Sequence, residues 1–119
     1  MKATIVYRGK QYDISSVIHS GKSQVKEFID GLPQSEQKKI VALLRRTADH
    51  GILSNEEKFR KLDHGIWEFK SFQVRLLCFF ERNHLIVLTH GFKKKQDRTP
   101  KNEIERAVRI REELRKNKG

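Results

Sequence analysis

LIVLTHGFKKKQDRTPKNEIERA, residues 85–107, decides how this chain is read. It opens on apolar and β-branched residues, as a buried strand requires. The strand runs into His90-Gly91-Phe92 and then three consecutive lysines, Lys93, Lys94 and Lys95. After a short polar connector, Thr99-Pro100 marks a helix start. Thr99 is expected as the cap and Pro100 at the first position, where a missing N–H costs nothing. A cationic cluster at the end of a buried central strand stands on a rigid scaffold. Holding an anionic partner at a fixed place needs that arrangement.

Composition points the same way. The 119 residues carry 26 Lys and Arg against 15 Asp and Glu, a formal net charge of +11. Residues 91–119 hold 11 basic and 5 acidic side chains, a net of +6, so a quarter of the chain carries more than half of the excess. Nucleic acid, an acidic protein or an anionic membrane surface would each match that excess, and a merely solvated basic face is the plainer reading. The concentration beside one strand end favours a nucleic-acid site. The length fits one domain, residues 1–119, with a basic C-terminal helix from about residue 100. A single cysteine, Cys78, excludes an internal disulfide and lies in an apolar pattern, which predicts a buried, inert thiol. No apolar run is long enough for a signal peptide or a membrane span, so a soluble, cytoplasmic protein with no membrane association is expected.

Working outward, residues 3–7 (ATIVY) read as a strand, and Gly9-Lys10 could turn it into a brief second run over residues 11–14. Ser23 caps a short helix with Val25, Phe28, Ile29 and Leu32 on one face, and Gly31-Leu32-Pro33 breaks it. Ser35 is expected to cap a longer helix whose Ile40, Leu43, Leu44, Thr47 and Ala48 share a face, with Gly51 at its C-terminal left-handed position. Three strands follow, over residues 66–70, 73–80 and 85–90, reversing at Ser71-Phe72 and Arg82-Asn83. The fold class is therefore α+β: a small antiparallel sheet packed by a helical hairpin and a C-terminal helix.

Two-residue periodicity then sorts the polar groups. If Ser71-Phe72 and Arg82-Asn83 form the two turns, Glu68 lies opposite Arg75 and Arg75 opposite His90. Glu68, Lys70, Arg75 and His90 gather on one side, with Lys93 to Lys95 just beyond. Trp67, Phe69, Val74, Leu76, Cys78 and Phe80 take the other side, against the helical hairpin. A slip of two residues preserves this sorting, whereas a slip of one destroys it.

The polar side has the parts that RNA cleavage by a 2′-hydroxyl needs. Arg75 could grip a phosphate through two parallel hydrogen bonds, and Lys93 or Lys94 could add charge. Glu68, His90 or a lysine of depressed pKa could move protons. Lys95 and Arg98 continue the basic surface as substrate-binding candidates. Plainer readings stand beside these: a Glu68–Arg75 cross-strand ion pair, a core histidine at His90, a solvated lysine loop. His19, His50, His64 and His84 show no metal-ligand spacing, so neither a metal nor another cofactor is expected.

VKEFIDGLP from Val25, LDHGIWEFKS, VRLLCFF and HGFKKKQDRTPKNEIERA together resemble the RelE/ParE superfamily of bacterial toxins, most closely its HigB-like, phage-derived branch. The lysine run, the Thr-Pro helix start and EIERA are the most specific part. The resemblance implies a microbial-RNase-like sheet and a type II toxin neutralised by an antitoxin, commonly a helix-turn-helix protein. Many relatives are metal-independent endoribonucleases that cut mRNA on the ribosome, whereas the ParE branch poisons DNA gyrase. The mRNA-cutting relatives carry basic residues that match Lys70, Arg75 and Lys93 or Lys94. Where some have a second lysine this chain has Glu68. Several use a tyrosine near the C-terminus, and the only tyrosines here are Tyr7 and Tyr12. Glu68 or His90 would then have to move the protons, and a non-catalytic inhibitor, whether a gyrase poison or a nucleic-acid-binding regulator, stays open as the alternative.

Overall fold

The apolar run at residue 85 forms a strand that becomes the middle of the sheet. The computed structural model describes residues 1–52, 58–94 and 98–116. Among them the chain runs β1 (Lys2–Arg8), β2 (Asp13–His19), β3 (Lys22–Ser23), α1 (Gln24–Asp30) and α2 (Gln34–His50). It continues through β4 (Phe59–Lys61), β5 (Trp67–Ser71), β6 (Val74–Arg82), β7 (Leu85–Lys93) and α3 (Lys101–Lys116). The sheet order is β1-β2-β7-β6-β5-β4, with β3 added to β2. The α+β architecture is as expected and is consistent with a RelE-like layout.

The sheet is larger than the sequence indicated, and mixed rather than antiparallel throughout. The antiparallel meander β5-β6-β7 forms as read, but β7 pairs with β2 in parallel, from Asp13↔Leu85 to Ser16↔Leu88. The brief run expected after Gly9 is thus a seven-residue strand beside the central one. Its Ser15 and Ser16 are buried, and two polar residues in mid-strand hid the apolar pattern. β4 also escaped notice. Of its three residues only Phe59 is buried, too little to show periodicity.

Each face of the sheet has its own core. Against α1 and α2 lie Ile14, Phe69, Val74, Leu76, Cys78, Ile86 and Leu88, with Trp67 and Phe80 at the margin. α2 contributes Ile40, Leu43, Leu44, Thr47 and Ala48, the face that helical spacing singled out. Ser23 caps α1 as expected, its hydroxyl accepting from Lys26 N at 3.1 Å. α2 begins two residues earlier than a Ser35 cap would place it. Pro33 is the N-cap, with its carbonyl accepting from Gln37 N at 3.0 Å. Gly51 ends α2 at φ 87°, a backbone angle that favours glycine. It is extended at ψ −175° rather than left-handed helical. The second core lies under α3 and contains Ile66, Leu77, Phe79, Val87, Ile104, Ala107 and Leu114.

The register differs from the expected one by an amount that preserves the facing. The β5–β6 turn falls at Phe72-Gln73, so Lys70 pairs with Arg75 and Glu68 with Leu77. Along β6 and β7, register shifts between Leu77 and Cys78 and between Phe80 and Arg82 leave Arg75 opposite Phe92 and Leu77 opposite His90. The two shifts are opposite in sign and cancel; the two-residue displacement comes from the β6–β7 turn, which falls at Asn83-His84, and Arg75 and His90 keep a common face.

Gly91 allows α1 to approach β7. A Cβ there would stand 2.3 Å from Phe28 Cδ2 and 2.7 Å from Leu76 Cδ2. Both neighbours belong to a packed layer that cannot withdraw cheaply. Gly91→Ala should therefore cost about 1–3 kcal/mol, seen as a melting temperature several degrees lower. An unchanged melting curve would show that α1 is not seated against this strand.

Candidate functional site

Glu68 is completely buried, although nothing in its strand marks it as more than the polar member of an alternating pair. A carboxylate without water must be neutralised and hydrogen-bonded where it lies. Arg60 on β4 meets its Oε1 from Nε at 3.0 Å. Arg75 on β6, 2 % exposed, approaches the same oxygen from Nε at 3.7 Å. The hydroxyl of Thr99, just before α3, donates a short hydrogen bond to Oε2. α3 begins at Lys101, one residue later than a Thr99 cap with Pro100 at the first position would place it, and the carbonyl of Pro100 accepts from Glu103 N and Ile104 N. Both oxygens of Glu68 are engaged by three different elements.

The burial of Arg75 corrects a second expectation. Arg75 was expected to grip a phosphate through two parallel hydrogen bonds, which requires an accessible guanidinium. Instead its Nη1 donates back to the carbonyl of Phe72 and, at 3.2 Å, to that of Val74. The guanidinium thus ties the β5–β6 turn to the Glu68 carboxylate. Lys70 is Arg75's cross-strand neighbour and is half-buried.

The lysine run divides by strand alternation. Lys93 lies opposite Val74 and turns toward α2, where its Nζ sits 2.9 Å from Glu36 Oε1. Lys94, whose N–H extends the ladder to Gln73 O at 2.8 Å, returns to the Arg75 face. Partial desolvation lowers the pKa of its ammonium, opposed by the Glu68 charge and reinforced by repulsion from Arg75, Arg60 and Arg98. Lys95 lies outside the described residues. Arg98 is exposed at the mouth of an open cleft of about 450 Å³. Arg60, Lys61 and Thr99 share its wall with one acid, Asp63. Cations from β4, the end of β7 and the approach to α3 thus surround one buried anion.

His90 shares that face but not that cluster. Leu77 lies between it and Glu68 in the register, and the imidazole is 1 % exposed beneath α3. Its Nε2 is 3.2 Å from Glu103 Oε1 and its Nδ1 3.2 Å from Thr89 Oγ1. Burial lowers its pKa, and the Arg106 charge adds to this while Glu103 works the other way. The ring is a core histidine that fastens α3 to β7. Burial likewise pushes the Cys78 thiol well up, leaving it protonated and inert.

Sequence reasoning missed Arg60, Glu103 and the hydrogen bond from Thr99 to Glu68. Arg60 sits on a strand too short to recognise, and Thr-Pro reads so readily as a helix start that its hydroxyl was assigned there. Among the described residues, no group of three or more His, Cys, Asp or Glu side chains could hold a metal ion. No described helix is long and apolar enough to cross a membrane.

The fold and the cleft define a small basic α+β domain built around a buried, multiply held carboxylate. The family model described as phage derived protein Gp49-like (DUF891) matches residues 27–112, and the chain belongs to that family. No curated protein matches the sequence.

Two outcomes test this geometry. Glu68→Gln leaves the buried Arg75 charge without its counterion and should cost about 3–5 kcal/mol in urea unfolding. Lys93→Ala, which breaks an exposed pair, should shift the same curve by less than about 1 kcal/mol. Comparable small shifts for both would mean that the Glu68 network contributes little.

His90 makes a prediction about pH. A histidine whose folded pKa is depressed binds fewer protons folded than unfolded, so the stability it contributes is present above about pH 6.5 and is lost as pH falls toward the folded pKa. Unfolding free energy should decline through this window, and His90→Gln should flatten the decline. An equally steep decline in the variant would assign it to other groups.

Proposed function

We propose that this protein is the toxin of a type II toxin–antitoxin pair that cleaves mRNA on the ribosome without a metal. Membership of the phage-derived Gp49-like family supports the reading, as does the resemblance of HGFKKKQDRTPKNEIERA to the HigB-like toxins. The observation that carries it is the cleft that Arg60 and Arg98 line beside the buried Glu68 network, with Lys94 near enough to feel both of their charges. In the reaction, the 2′-oxygen forms a bond to phosphorus and the bond from phosphorus to the 5′-oxygen breaks. The 2′-hydroxyl proton passes to water and the departing 5′-oxygen takes one from the ammonium of Lys94. Lys94, of depressed pKa and half-exposed, suits that role and also faces the developing phosphorane charge. Arg98 and Arg60 bind flanking phosphates, whereas Lys70 lines a separate groove beside α2. Arg75 and Glu68 act as positioning residues, since both are buried and committed to each other. His90 has a structural role, and Lys93, paired with Glu36, stands on the other side of the sheet. The partners are mRNA in the ribosome and a cognate antitoxin, a helix-turn-helix protein in this reading.

One observation favours a second reading, an inhibitor that binds nucleic acid without chemistry. Glu68 and His90, two of the groups nominated to move protons, are both buried. Brief induction in bacteria separates the two. Cleavage should yield new mRNA 5′ ends within codons and growth arrest, and Lys94→Ala should slow end formation by about 10²–10³-fold. Arrest with intact mRNA would select the second reading, and double-strand DNA breaks would select gyrase poisoning.

A further inference from the structure

Phe72 is 74 % exposed, the most exposed large apolar side chain among the described residues. It also has a backbone φ of 55°, in the β5–β6 turn. Glycine adopts that angle freely and a bulky aromatic rarely does. Neither packing nor turn chemistry accounts for a phenylalanine here: it buries little, and it opposes the local backbone preference.

Its surroundings supply a reason. Lys39 of α2 holds its ammonium 4.5 Å from the ring centroid. The ring borders a groove of about 320 Å³ between α2 and the sheet edge, which Lys39, Arg46, Lys58 and Lys70 also line. No Asp or Glu is among its lining residues. The turn is braced from beneath by buried Arg75, which donates to the carbonyls of Phe72 and Val74. An exposed aromatic on a braced turn, amid four cations and no acid, has the two parts of a single-strand site: a stacking surface and phosphate contacts. This groove shares no lining residue with the Arg60–Arg98 cleft.

We propose that Phe72 is a stacking platform for an unpaired base of single-stranded RNA, with Lys39, Arg46, Lys58 and Lys70 binding the adjoining phosphates. This site lies outside the reacting cleft and deepens the RNA reading, on which it rests. It would hold the strand by a base and its backbone on one side of the β5–β6 turn while the cleft works on the other.

The experiment measures binding of the full chain to a short single-stranded RNA carrying 2-aminopurine, and to inorganic polyphosphate, which has the charge but no bases. Phe72→Gly should weaken RNA binding about tenfold or more and leave polyphosphate binding within about twofold, as a stacking loss without a change in charge requires. Phe72→Trp should keep RNA affinity and quench the 2-aminopurine. Because glycine suits φ 55°, Phe72→Gly should melt no lower than wild type, so unfolding cannot imitate the loss. Lys39→Ala combined with Arg46→Ala should weaken both ligands and flatten the salt dependence. RNA binding unchanged in Phe72→Gly would overturn the platform while leaving the RNA reading intact. Equal losses for RNA and polyphosphate would overturn it too, by making the residue structural. A wild-type chain that binds polyphosphate no more weakly than RNA, with no change in 2-aminopurine signal, would remove the platform and the RNA reading together.

Discussion

The burial of one carboxylate organises this end of the molecule. An isolated ionised group removed from water costs far more than a small domain can supply, so Glu68 must have cations and a donor delivered to it. They come from β4, from β6 and from the segment leading into α3. None of the three is adjacent to Glu68 in sequence. β4 is only three residues long, and α3 buries few large apolar side chains. Both are weakly anchored by hydrophobic burial alone, so the polar contacts decide where they sit. The same contacts gather positive charge. In a chain of net charge +11, crowding arginines at one strand end is tolerable because an anion lies at their centre.

Strand alternation then determines which cations can act together. Lys93 and Lys94 are neighbours in sequence, yet one turns to Glu36 on α2 and the other to the Arg75 face. A run of lysines is thus not one patch. It is two half-sites divided by the sheet, and the strand's pleat divides them. The exposed ion pair of Lys93 has little energetic weight at the surface. Lys94 differs because its neighbours are mostly positive and its hydration is incomplete.

Much of this was legible from the residues. The apolar spacing of α2, the Ser23 cap, the meander and the shared face of Glu68, Lys70, Arg75 and His90 all follow from periodicity. Two properties were out of reach. Burial of Glu68 and Arg75 depends on what covers them, and of the covering elements β4 is too short to show periodicity while the Thr99 segment lies 31 residues from Glu68 in sequence. The partner of β2 was equally hidden: a parallel pairing joins strands separated by some seventy residues, and no local pattern encodes it. The register error shows why facing is more robust than pairing. Displaced turns and two cancelling bulges altered individual cross-strand partners, yet the combined displacement was even. Sorting by face survived because burial on both sides of the sheet enforces it.

Arg75 joins the two halves of the picture. One guanidinium answers the Glu68 carboxylate and also closes the backbone of the turn that displays Phe72. A planar group with five donors can do both at once, whereas an ammonium, with a single charged centre, cannot span them. The exposed lysines and arginines around this turn are long and flexible, and ordering each of them on a ligand carries an entropic cost. Mounting them on a turn whose base is already fixed confines that cost to the side chains themselves. The buried pair therefore matters less as a source of stability than as the fixed point from which two separate basic grooves take their geometry.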